Sequence, residues 1–499
     1  MTFERRIASV LLPFAAGYYL SYVFRTINAL IADTLVDEFN LSPADLGLLT
    51  SIYFLVMAVV QLPLGALLDR YGPRRVQSAC LCVTAAGACV FAFSDSLTGL
   101  LLARALIGIG VATALMAGLK AVVLWLPPER VGFANGLLVT IGALGAVTAT
   151  APAQILVDAL GWRGLFLLLA ALTVWAAAVM FIVVPERDSE TPSNPALHSV
   201  SLRSIYRDAR FWTLAPMSAT CIGAAWSIQG LWAAPWLTDI EGFDRATVVR
   251  HLLIMGLALS VSAIALGTLA DRLRRRGLPT ETLFGATACV FMLAQLAVIL
   301  HWPIPSSVSW ALIGMAGAAT VLSYAILPGY FPIAASGRAN AALNLLHLSV
   351  AFGVQWLTGV VIDQWPSQQG RHPVEAYQAA FALNLAVQGA AFGWFALSRS
   401  TALAPRVKQS SGYVLRPYRA RAIVCPYRQA HIAWLSEVGA ARQQAASWRT
   451  VALASIAVCI VLTTLAMPNL TALRDEAATG GVASASSMLG IAAFARLVP

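Results

Sequence analysis

The chain has 499 residues, of which 59% are hydrophobic and 11% are charged, and its formal net charge at pH 7 is +10. Soluble domains contain about a quarter charged residues, so this composition excludes an ordinary soluble protein and indicates a chain whose surroundings are mostly lipid. The positive charges form short clusters between apolar runs, a pattern that sets membrane orientation and argues against a nucleic-acid partner.

Apolar segments long enough to span a bilayer recur from the N-terminus to about residue 398. A spanning helix needs about 20 mainly apolar residues, and the sequence predicts twelve of them, near 8–32, 45–67, 76–95, 97–125, 133–156, 164–184, 211–237, 248–270, 281–301, 306–328, 339–363 and 377–398. The predicted fold is therefore an all-α membrane protein with an N-terminal six-helix bundle (1–185), a polar linker (186–210) and a C-terminal six-helix bundle (211–398).

The arginines concentrate in alternate loops, at 5–6, 70–75, 203–210 and 272–276. In inner-membrane proteins the cytoplasmic loops carry the excess of Lys and Arg. We therefore expect a multi-pass protein of a bacterial inner membrane, with its N-terminus and its linker in the cytoplasm.

A motif in the loop after the second predicted helix returns in the loop after the eighth. The first copy runs Gly65-Ala-Leu-Leu-Asp69-Arg70-Tyr71-Gly72-Pro73-Arg74-Arg75, and the second runs Gly267-Thr-Leu-Ala-Asp271-Arg272-Leu-Arg274-Arg275-Arg276-Gly277. The two aspartates lie 271 − 69 = 202 residues apart, about half of the twelve-helix region. This spacing predicts two halves of the same orientation, related by an axis along the membrane normal.

The chain resembles the major facilitator superfamily of secondary transporters in four features. These are the first copy of the motif, its return at this spacing, the segment Arg104-Ala-Leu-Ile-Gly108-Ile-Gly110 and the triplet Gly161-Trp162-Arg163. The resemblance covers roughly residues 7–398 and implies a twelve-helix fold, alternating access and a substrate cavity between the halves. No Walker motif or His-Glu-x-x-His pattern occurs, so we expect no enzymatic activity, no cofactor and no metal site.

In the resembled family the loop motif latches the cytoplasmic side of the protein. Asp69 is expected at a helix end, where the dipole of a neighbouring helix N-terminus favours negative charge, and the segment Glu129-Arg130 is its candidate partner. The alternative is that these residues only anchor the loops to the membrane surface. The predicted gating residues are Gly65, Asp69, Arg70, Gly72, Arg74, Arg75, Arg130, Gly267, Asp271, Arg272 and Arg338.

Arg25 lies within the first predicted helix, where a charge is costly and is therefore a functional candidate. At 100° per residue, Tyr18, Tyr22 and Arg25 share one face of that helix, and a cation flanked by tyrosines suits an anionic group. The phrase Tyr22-Val-Phe-Arg25-Thr-Ile-Asn28 also resembles the corresponding region of anion and organophosphate transporters in the superfamily. The alternative is a structural arginine that snorkels to the interface.

Two other predicted helices carry polar or aromatic stripes. In the seventh, Gln229 and Trp232 lie on one face, where they would line a cavity. In the eleventh, Asn344 and His347 lie on a narrow polar face, which indicates either cavity lining or hydrogen bonding between helices. With a reference pKa of about 6.5, His347 is a candidate carrier of a coupling proton.

Two further cations lie in the fourth predicted helix. The resemblance makes Arg104 a coupling or structural cation, and Lys120, 16 residues later, points to roughly the opposite side of the helix. Lys120 is a second candidate coupling or structural cation, and the alternative is that it simply snorkels from its place near the predicted cytoplasmic end.

Residues 399–499 form a basic extension, and the apolar run at 450–467 predicts a thirteenth span. The preceding segment faintly resembles the membrane anchor of a conjugative secretion subunit, on the residues Pro426, Tyr427, Arg428, Trp434, Ala440, Ala441, Arg442, Trp448 and Arg449.

The predicted function is secondary transport of a small solute by symport or antiport, with an organic anion favoured by Arg25 and by the lack of acids deep in the spans. The partners expected are this solute, the lipid bilayer and a coupling proton, for a chain that works as a monomer. Two alternatives remain: transport of neutral or cationic solutes (efflux), or a membrane anchor or assembly factor that acts through residues 399–499.

Overall fold

The computed structural model describes residues 7–126, 128–185, 202–331, 335–367 and 371–402. The chain divides into two compact units, Met1–Val414 and Leu415–Pro499, and the second lies entirely outside the described residues. The predicted thirteenth span at 450–467 and the likeness to a secretion subunit therefore lie outside them as well.

In the part of the chain described between residues 7 and 185, six helices make up what we call the first half. After a π-helical turn at Ile7–Leu11 they are α1 (Leu12–Phe39), α2 (Pro43–Ala92), α3 (Leu97–Val111), α4 (Ala114–Trp125), α5 (Pro128–Thr148) and α6 (Ala151–Val183). Ser42 starts α2 with a capping box, because its side chain accepts from the Asp45 amide while the Asp45 carboxylate accepts from the Ser42 amide.

Two of these helices each contain a sharp break at a glycine. Gly72 interrupts α2 with a φ of 78°, and Gly161 interrupts α6 with a φ of 69°. Positive φ is strained for residues with a Cβ and nearly free for glycine. The glycine of the loop motif and the glycine of the Gly161-Trp162-Arg163 triplet therefore allow the chain to turn between two helical rods.

Among the described residues from 202 to 402, nine helices make up what we call the second half. They are α7 (Leu202–Arg207), α8 (Ala209–Ser227), α9 (Ala233–Asp239), α10 (Arg245–Arg275), α11 (Thr280–Ile299), α12 (Ser306–Ala316), α13 (Ala319–Ile326), α14 (Ser336–Ile362) and α15 (Val374–Ala402). A π-helical turn, Ile228–Trp232, joins α8 to α9, and the 3-10 turn Leu327–Tyr330 follows α13.

Within the described residues, nine helical segments are long and apolar enough to cross a membrane. The all-α membrane class is confirmed, but four of the twelve predicted spans are not continuous helices in the part of the chain described. The fourth (97–125) is broken between α3 and α4, the fifth (133–156) between α5 and α6, the seventh (211–237) by the π turn after α8, and the tenth (306–328) between α12 and α13. Breaks of this kind are tolerated in membranes where neighbouring helices satisfy the freed backbone groups.

The 202-residue offset of the loop motif is also visible in the backbone. Asn40 and Gly242, which are 242 − 40 = 202 residues apart, both have positive φ, at 49° and 65°. Ser42 and Asp244, at the same offset, each occupy the N-cap position of the following helix. The two halves therefore make the same turn at corresponding points of the chain.

The loops define two faces of the helical bundle. We call the face that carries the Gly72 turn and the end of α10 the arginine-rich face, and the face where α1 meets α2 the opposite face. At the opposite face, the Nε1 of Trp162 donates to Glu38 at 2.8 Å, and Arg163 pairs with both Glu38 and, at 3.3 Å, Asp95. The Gly161-Trp162-Arg163 triplet thus ties three loops of the first half together.

Candidate functional site

A cavity lies between the two halves, against α1, α2, the junction of α3 and α4, α8, α13 and α14. The first half contributes most of the lining, namely Tyr18, Ser21, Tyr22, Arg25, Tyr53, Phe54, Met57, Gln61, Val111, Ala112, Leu115 and Met116. The second half contributes Trp226, Tyr324, Asn344 and Leu348. Of the residues predicted to bind substrate, Tyr18, Tyr22, Arg25 and Asn344 therefore meet at one cavity.

Arg25 is the one charged side chain among the described residues that line this cavity. Its guanidinium carbon lies 3.8 Å from the ring centroid of Tyr22 and 4.9 Å from that of Trp226. Its Nη2 atom is buried and has no hydrogen-bond partner among the described residues. Aromatic faces stabilise a cation but accept no strong hydrogen bond, so this guanidinium nitrogen remains available to an acceptor in the cavity.

The polar groups around Arg25 are neutral hydroxyls and amides. Tyr18 and Tyr22 meet edge to face, with ring centroids 5.1 Å apart, and Tyr53 donates its hydroxyl hydrogen to the carbonyl oxygen of Ser21 at 3.0 Å. Asn344 accepts at its Oδ1 from the hydroxyl of Tyr324 at 2.6 Å, and no described residue accepts from its Nδ2. The cavity therefore offers hydrogen-bond donors beside a single positive charge.

His347 lies behind the cavity wall. It is fully buried, its Nε2 is 2.8 Å from the hydroxyl of Ser218, and its Nδ1 is 3.3 Å from the hydroxyl of Tyr324. Trp226 packs against it edge to face, with ring centroids 6.3 Å apart. The structure thus connects this predicted site residue to the cavity through Tyr324 and not by direct exposure.

The stripe predicted on the seventh helix lies away from the cavity. Gln229 is buried in the π turn, and Trp232 is fully buried with its Nε1 donating to the carbonyl oxygen of Gln355 at 3.1 Å. A Cβ built on Gly47 or Gly359 would lie 3.3 or 3.1 Å from the Trp232 ring. Trp232 therefore fills the contact between the two halves near the opposite face.

That contact between halves is close. A Cβ built on Gly359 of α14 would lie 2.2 Å from the carbonyl oxygen of Pro43 at the start of α2. A Cβ built on Gly256 of α10 would lie 3.4 Å from Val147 of α5. The Nε of Arg245 in α10 also donates to the Oε1 of Gln154 in α6 at 3.0 Å. The two halves are thus packed together on the opposite-face side of the cavity.

At the arginine-rich face, the aspartate of the first motif copy pairs with Lys120. The Lys120 ammonium lies 2.6 Å from the Asp69 carboxylate and also donates to the carbonyl oxygen of Leu68 at 2.8 Å. In the second copy, Asp271 pairs with Arg274 at 3.1 Å. Lys120, predicted as a coupling or structural cation, therefore joins the loop motif from within the same half.

The other predicted gating residues surround these two pairs. Arg70 lies over the Tyr71 ring at 5.2 Å and Arg74 over the Phe181 ring at 4.8 Å. Arg75 and Arg272 are exposed, Arg338 is half-buried, and Gly65 and Gly267 have open space where a Cβ would lie. The side chain of Arg130 lies outside the described residues.

Arg104 is fully buried, but it does not line the cavity. Its Nη1 donates to the carbonyl oxygen of Phe24 at 2.8 Å, and its guanidinium carbon lies 5.3 Å from the centroid of the Tyr53 ring. Arg104 therefore attaches α3 to α1 immediately beside Arg25.

Reasoning from the sequence missed Tyr53 and Tyr324 as cavity residues. Each occurs singly in an apolar helix, and a lone tyrosine shows only that its hydroxyl needs a partner when it is buried. Tyr324 finds that partner on α14 and Tyr53 finds it on α1. Those pairings depend on helices that are distant in sequence.

Comparisons with known proteins identify the family to which the chain is similar. A family model described as "Major Facilitator Superfamily" matches residues 14–314. The uncharacterized transporter YybO of Bacillus subtilis is 26% identical over 377 residues, which cover 69% of this chain and 85% of that protein. The probable sulfoacetate transporter SauU of Cupriavidus necator is 24% identical over 276 residues, covering 52% of this chain and 64% of that protein.

A solved structure with the same fold is a bacterial homologue of the human lysosomal transporter Spinster, in an inward-facing and unoccupied conformation. Its TM-score is 0.67 at 17% identity, and the match covers 80% of this chain and 98% of that one.

Proposed function

The chain belongs to the Major Facilitator Superfamily and is a multi-pass membrane transporter, and from that premise we propose that it carries small organic anions across a bacterial inner membrane. In this proposal Arg25 binds the anionic group, and Tyr18, Tyr22 and Asn344 surround the rest of the solute.

The observation that carries the proposal is the buried, unpartnered Nη2 of Arg25. A buried donor without a partner costs free energy, about 1–3 kcal/mol and more for a charged group, and burying an uncompensated charge is more costly still. The described lining contains no carboxylate that could pair with Arg25. A bound carboxylate or sulfonate would supply both the missing acceptor and the missing negative charge.

A relative supports the same chemistry. The protein from Cupriavidus necator is named as a probable transporter of sulfoacetate, a small molecule with two anionic groups. We therefore expect the substrate to carry at least one carboxylate or sulfonate and to be small enough for a cavity walled by aromatic rings.

We further propose the arrangement of the transporter in the membrane. Twelve spans form two six-helix bundles, 1–185 and 211–398, joined by a linker at 186–210, and residues 399–499 follow as a separate extension. The arginine-rich face lies in the cytoplasm. The close contact between halves at Gly359 and Pro43 then corresponds to a carrier closed to the outside and open inward, as in the Spinster homologue.

In the proposed cycle, the Asp69 and Asp271 loops come together at the cytoplasmic face when the carrier opens outward. The predicted gating residues act there, Lys120 holds Asp69 in place, and Arg104 holds α3 against the Arg25 segment.

The test is ligand-induced thermal stabilisation of the full-length protein in detergent, with sulfoacetate, acetate, glucose and tetraethylammonium as probes. A ligand that binds the folded state raises its stability by about 2.7 kcal/mol at a hundredfold excess over the dissociation constant. We expect sulfoacetate, and to a lesser extent acetate, to raise the melting temperature.

The same panel is run on Arg25→Gln, on Arg25→Lys and on a matched control, Arg250→Gln, in which an equally charged but exposed arginine is replaced. Truncating a buried charge partner costs about 2–5 kcal/mol, so Arg25→Gln should weaken anion binding about 30-fold or more, whereas Arg250→Gln should bind as the wild type does. Stabilisation by glucose or tetraethylammonium alone, unchanged in Arg25→Gln, would rule out the anion proposal.

A further inference from the structure

A chain of hydrogen bonds leads from the cavity to a buried histidine. The hydroxyl of Tyr324 lines the cavity and lies 2.6 Å from Asn344 Oδ1 and 3.3 Å from His347 Nδ1. The far nitrogen of His347 is 2.8 Å from the hydroxyl of Ser218. These four side chains come from α8, α13 and α14, and His347 has no exposed surface.

The hydrogens in this chain can be assigned from the donors available. The single hydroxyl hydrogen of Tyr324 is given to Asn344 Oδ1, so toward His347 the tyrosine oxygen acts as an acceptor. His347 then carries its hydrogen on Nδ1, and its Nε2 accepts from the hydroxyl of Ser218. The neutral imidazole is therefore fully hydrogen-bonded.

The same geometry also suits the protonated imidazole. A second hydrogen on Nε2 would point at the oxygen of Ser218, which becomes an acceptor once its hydroxyl hydrogen rotates away. The Tyr324 oxygen continues to accept from Nδ1. Both N–H groups of a charged His347 would thus be satisfied without moving a helix.

Among the described residues, no carboxylate is hydrogen-bonded to His347. Its two ring nitrogens meet the hydroxyl groups of Ser218 and Tyr324, which are neutral. The titratable or charged groups that face it are Tyr324 from α13 and, across the ring of Trp226, Arg25 from α1. In the empty cavity, protonation of His347 would place a second positive charge near Arg25, which is unfavourable. An anion bound at Arg25 would neutralise the arginine and remove that penalty.

We propose that His347 binds one proton together with each substrate anion, so that the network of Ser218, His347, Tyr324 and Asn344 is the proton site of the carrier. This inference rests on the proposed function. The empty site carries the single positive charge of Arg25, and the loaded site carries that charge, one negative charge from a monoanionic group and one positive charge from His347. The net charge of the site is therefore the same before and after loading.

The structure also indicates how the proton reaches the histidine. Tyr324 is the one residue that both lines the cavity and lies within hydrogen-bonding distance of His347, in the part of the chain described. Transfer through Tyr324 uses the other neutral tautomer, in which His347 carries its hydrogen on Nε2 and donates it to Ser218, and the Tyr324 hydroxyl turns from Asn344 to Nδ1. A proton delivered by a hydronium ion in the cavity binds the Tyr324 oxygen as the hydroxyl hydrogen passes to Nδ1, which leaves water, a neutral tyrosine and a protonated imidazole. No other co-reactant is needed.

The experiment measures proton uptake that accompanies anion binding. Purified full-length protein in weakly buffered detergent solution is mixed with sulfoacetate, and the pH change is read with an indicator dye. The dissociation constant is measured in parallel from pH 5 to pH 8. We expect proton uptake approaching one per bound anion and a dissociation constant that rises by up to tenfold per pH unit in the upper part of this range.

In His347→Gln, sulfoacetate should still bind, with no proton uptake and a dissociation constant independent of pH. Ser218→Ala and Tyr324→Phe keep the histidine but remove one acceptor for the charged form, so each should reduce the uptake even if His347→Gln fails to fold. His301→Asn is the matched control, because His301 is exposed at the opposite face and its φ of 50° suits asparagine.

The outcomes separate the two proposals. Binding of sulfoacetate without proton uptake, or equal uptake in the wild type and His347→Gln, would overturn the proton site and leave anion transport standing. Absence of binding in the wild type would instead overturn anion transport, and the proton site with it.

Discussion

The two faces of the bundle are held together in different ways. At the opposite face the halves meet through backbone, where Gly359 approaches the Pro43 carbonyl and Gly47 approaches the carbonyl oxygen of Gln355. At the arginine-rich face the three described ion pairs, Asp69 with Lys120, Asp208 with Arg210 and Asp271 with Arg274, each lie inside one half.

This difference identifies which contacts set the conformational equilibrium. Exposed ion pairs contribute about 0–1 kcal/mol, and pairs within one half do not change when the halves separate. Close backbone packing at a glycine is intolerant of even one added carbon, because interiors are tightly packed. The balance between open and closed states should therefore depend more on the glycines of the opposite face than on the charges of the loop motif.

The largest effect is expected from Gly359→Ala. The added Cβ would fall 2.2 Å from the Pro43 carbonyl oxygen, and overpacking of this kind costs about 1–3 kcal/mol, which shifts a two-state equilibrium about 5- to 150-fold. Spin labels at positions 95 and 250, one in each half, should report a longer distance across the opposite face. Gly353→Ala on the same helix has open space for its Cβ and serves as the control, and an equal shift in both variants would refute the argument.

An effect of opposite sign and comparable size is expected from Gln355→Leu. Both amide atoms of this fully buried residue lack hydrogen-bond partners among the described residues, and each such group costs about 1–3 kcal/mol. Leucine should raise the melting temperature, because it removes both unsatisfied groups. It should also slow transport, because it stabilises the closed opposite face, which must separate in each cycle.

The comparison variant for Gln355→Leu is Gln388→Leu. Gln388 and Gln295 are also buried, but they exchange two hydrogen bonds of 2.9 and 3.1 Å. Removing one partner leaves the other amide unsatisfied, so the melting temperature should fall. A decrease in both variants would mean that Gln355 has a partner that the static structure does not show.

The smallest effects are expected at the loop motif. Asp69→Asn should reduce stability by at most about 1 kcal/mol, because three quarters of the Asp69 side chain is exposed. Asp271→Asn should have a smaller effect still, since both partners of its pair are more than half exposed. Urea unfolding followed by tryptophan fluorescence measures both changes, and neither variant should alter the label distance at the opposite face.

Much of the fold could be predicted because its signals are local. An apolar run or a turn glycine is recognised from a few neighbouring residues. The repeat is recognised by comparing two such short segments, which lie 202 residues apart. The four spans that proved discontinuous have equally apolar sequences, and nothing in their composition marks the π turn at Ile228–Trp232. A break of this kind depends on neighbouring helices that satisfy the backbone.

The candidate site could be predicted only in part. Tyr18, Tyr22 and Arg25 share a face of one helix, so helical periodicity alone brings them together. Trp232 shares a stripe with Gln229 in the same way, but packing turned that stripe toward Gly47 and Gly359 and away from the cavity.

By itself, the sequence determined that this protein is a membrane-embedded, internally repeated transporter, and it predicted Arg25 as a contact for an anion. The tertiary structure alone decided that Tyr53 and Tyr324 complete the cavity, that His347 lies behind its wall, and that Lys120 pairs with Asp69. The physical reason is the distance along the chain over which each interaction acts. Hydrophobicity and helix periodicity act within a segment, whereas hydrogen bonds and ion pairs between helices exist only once packing has brought distant segments within about 3 Å.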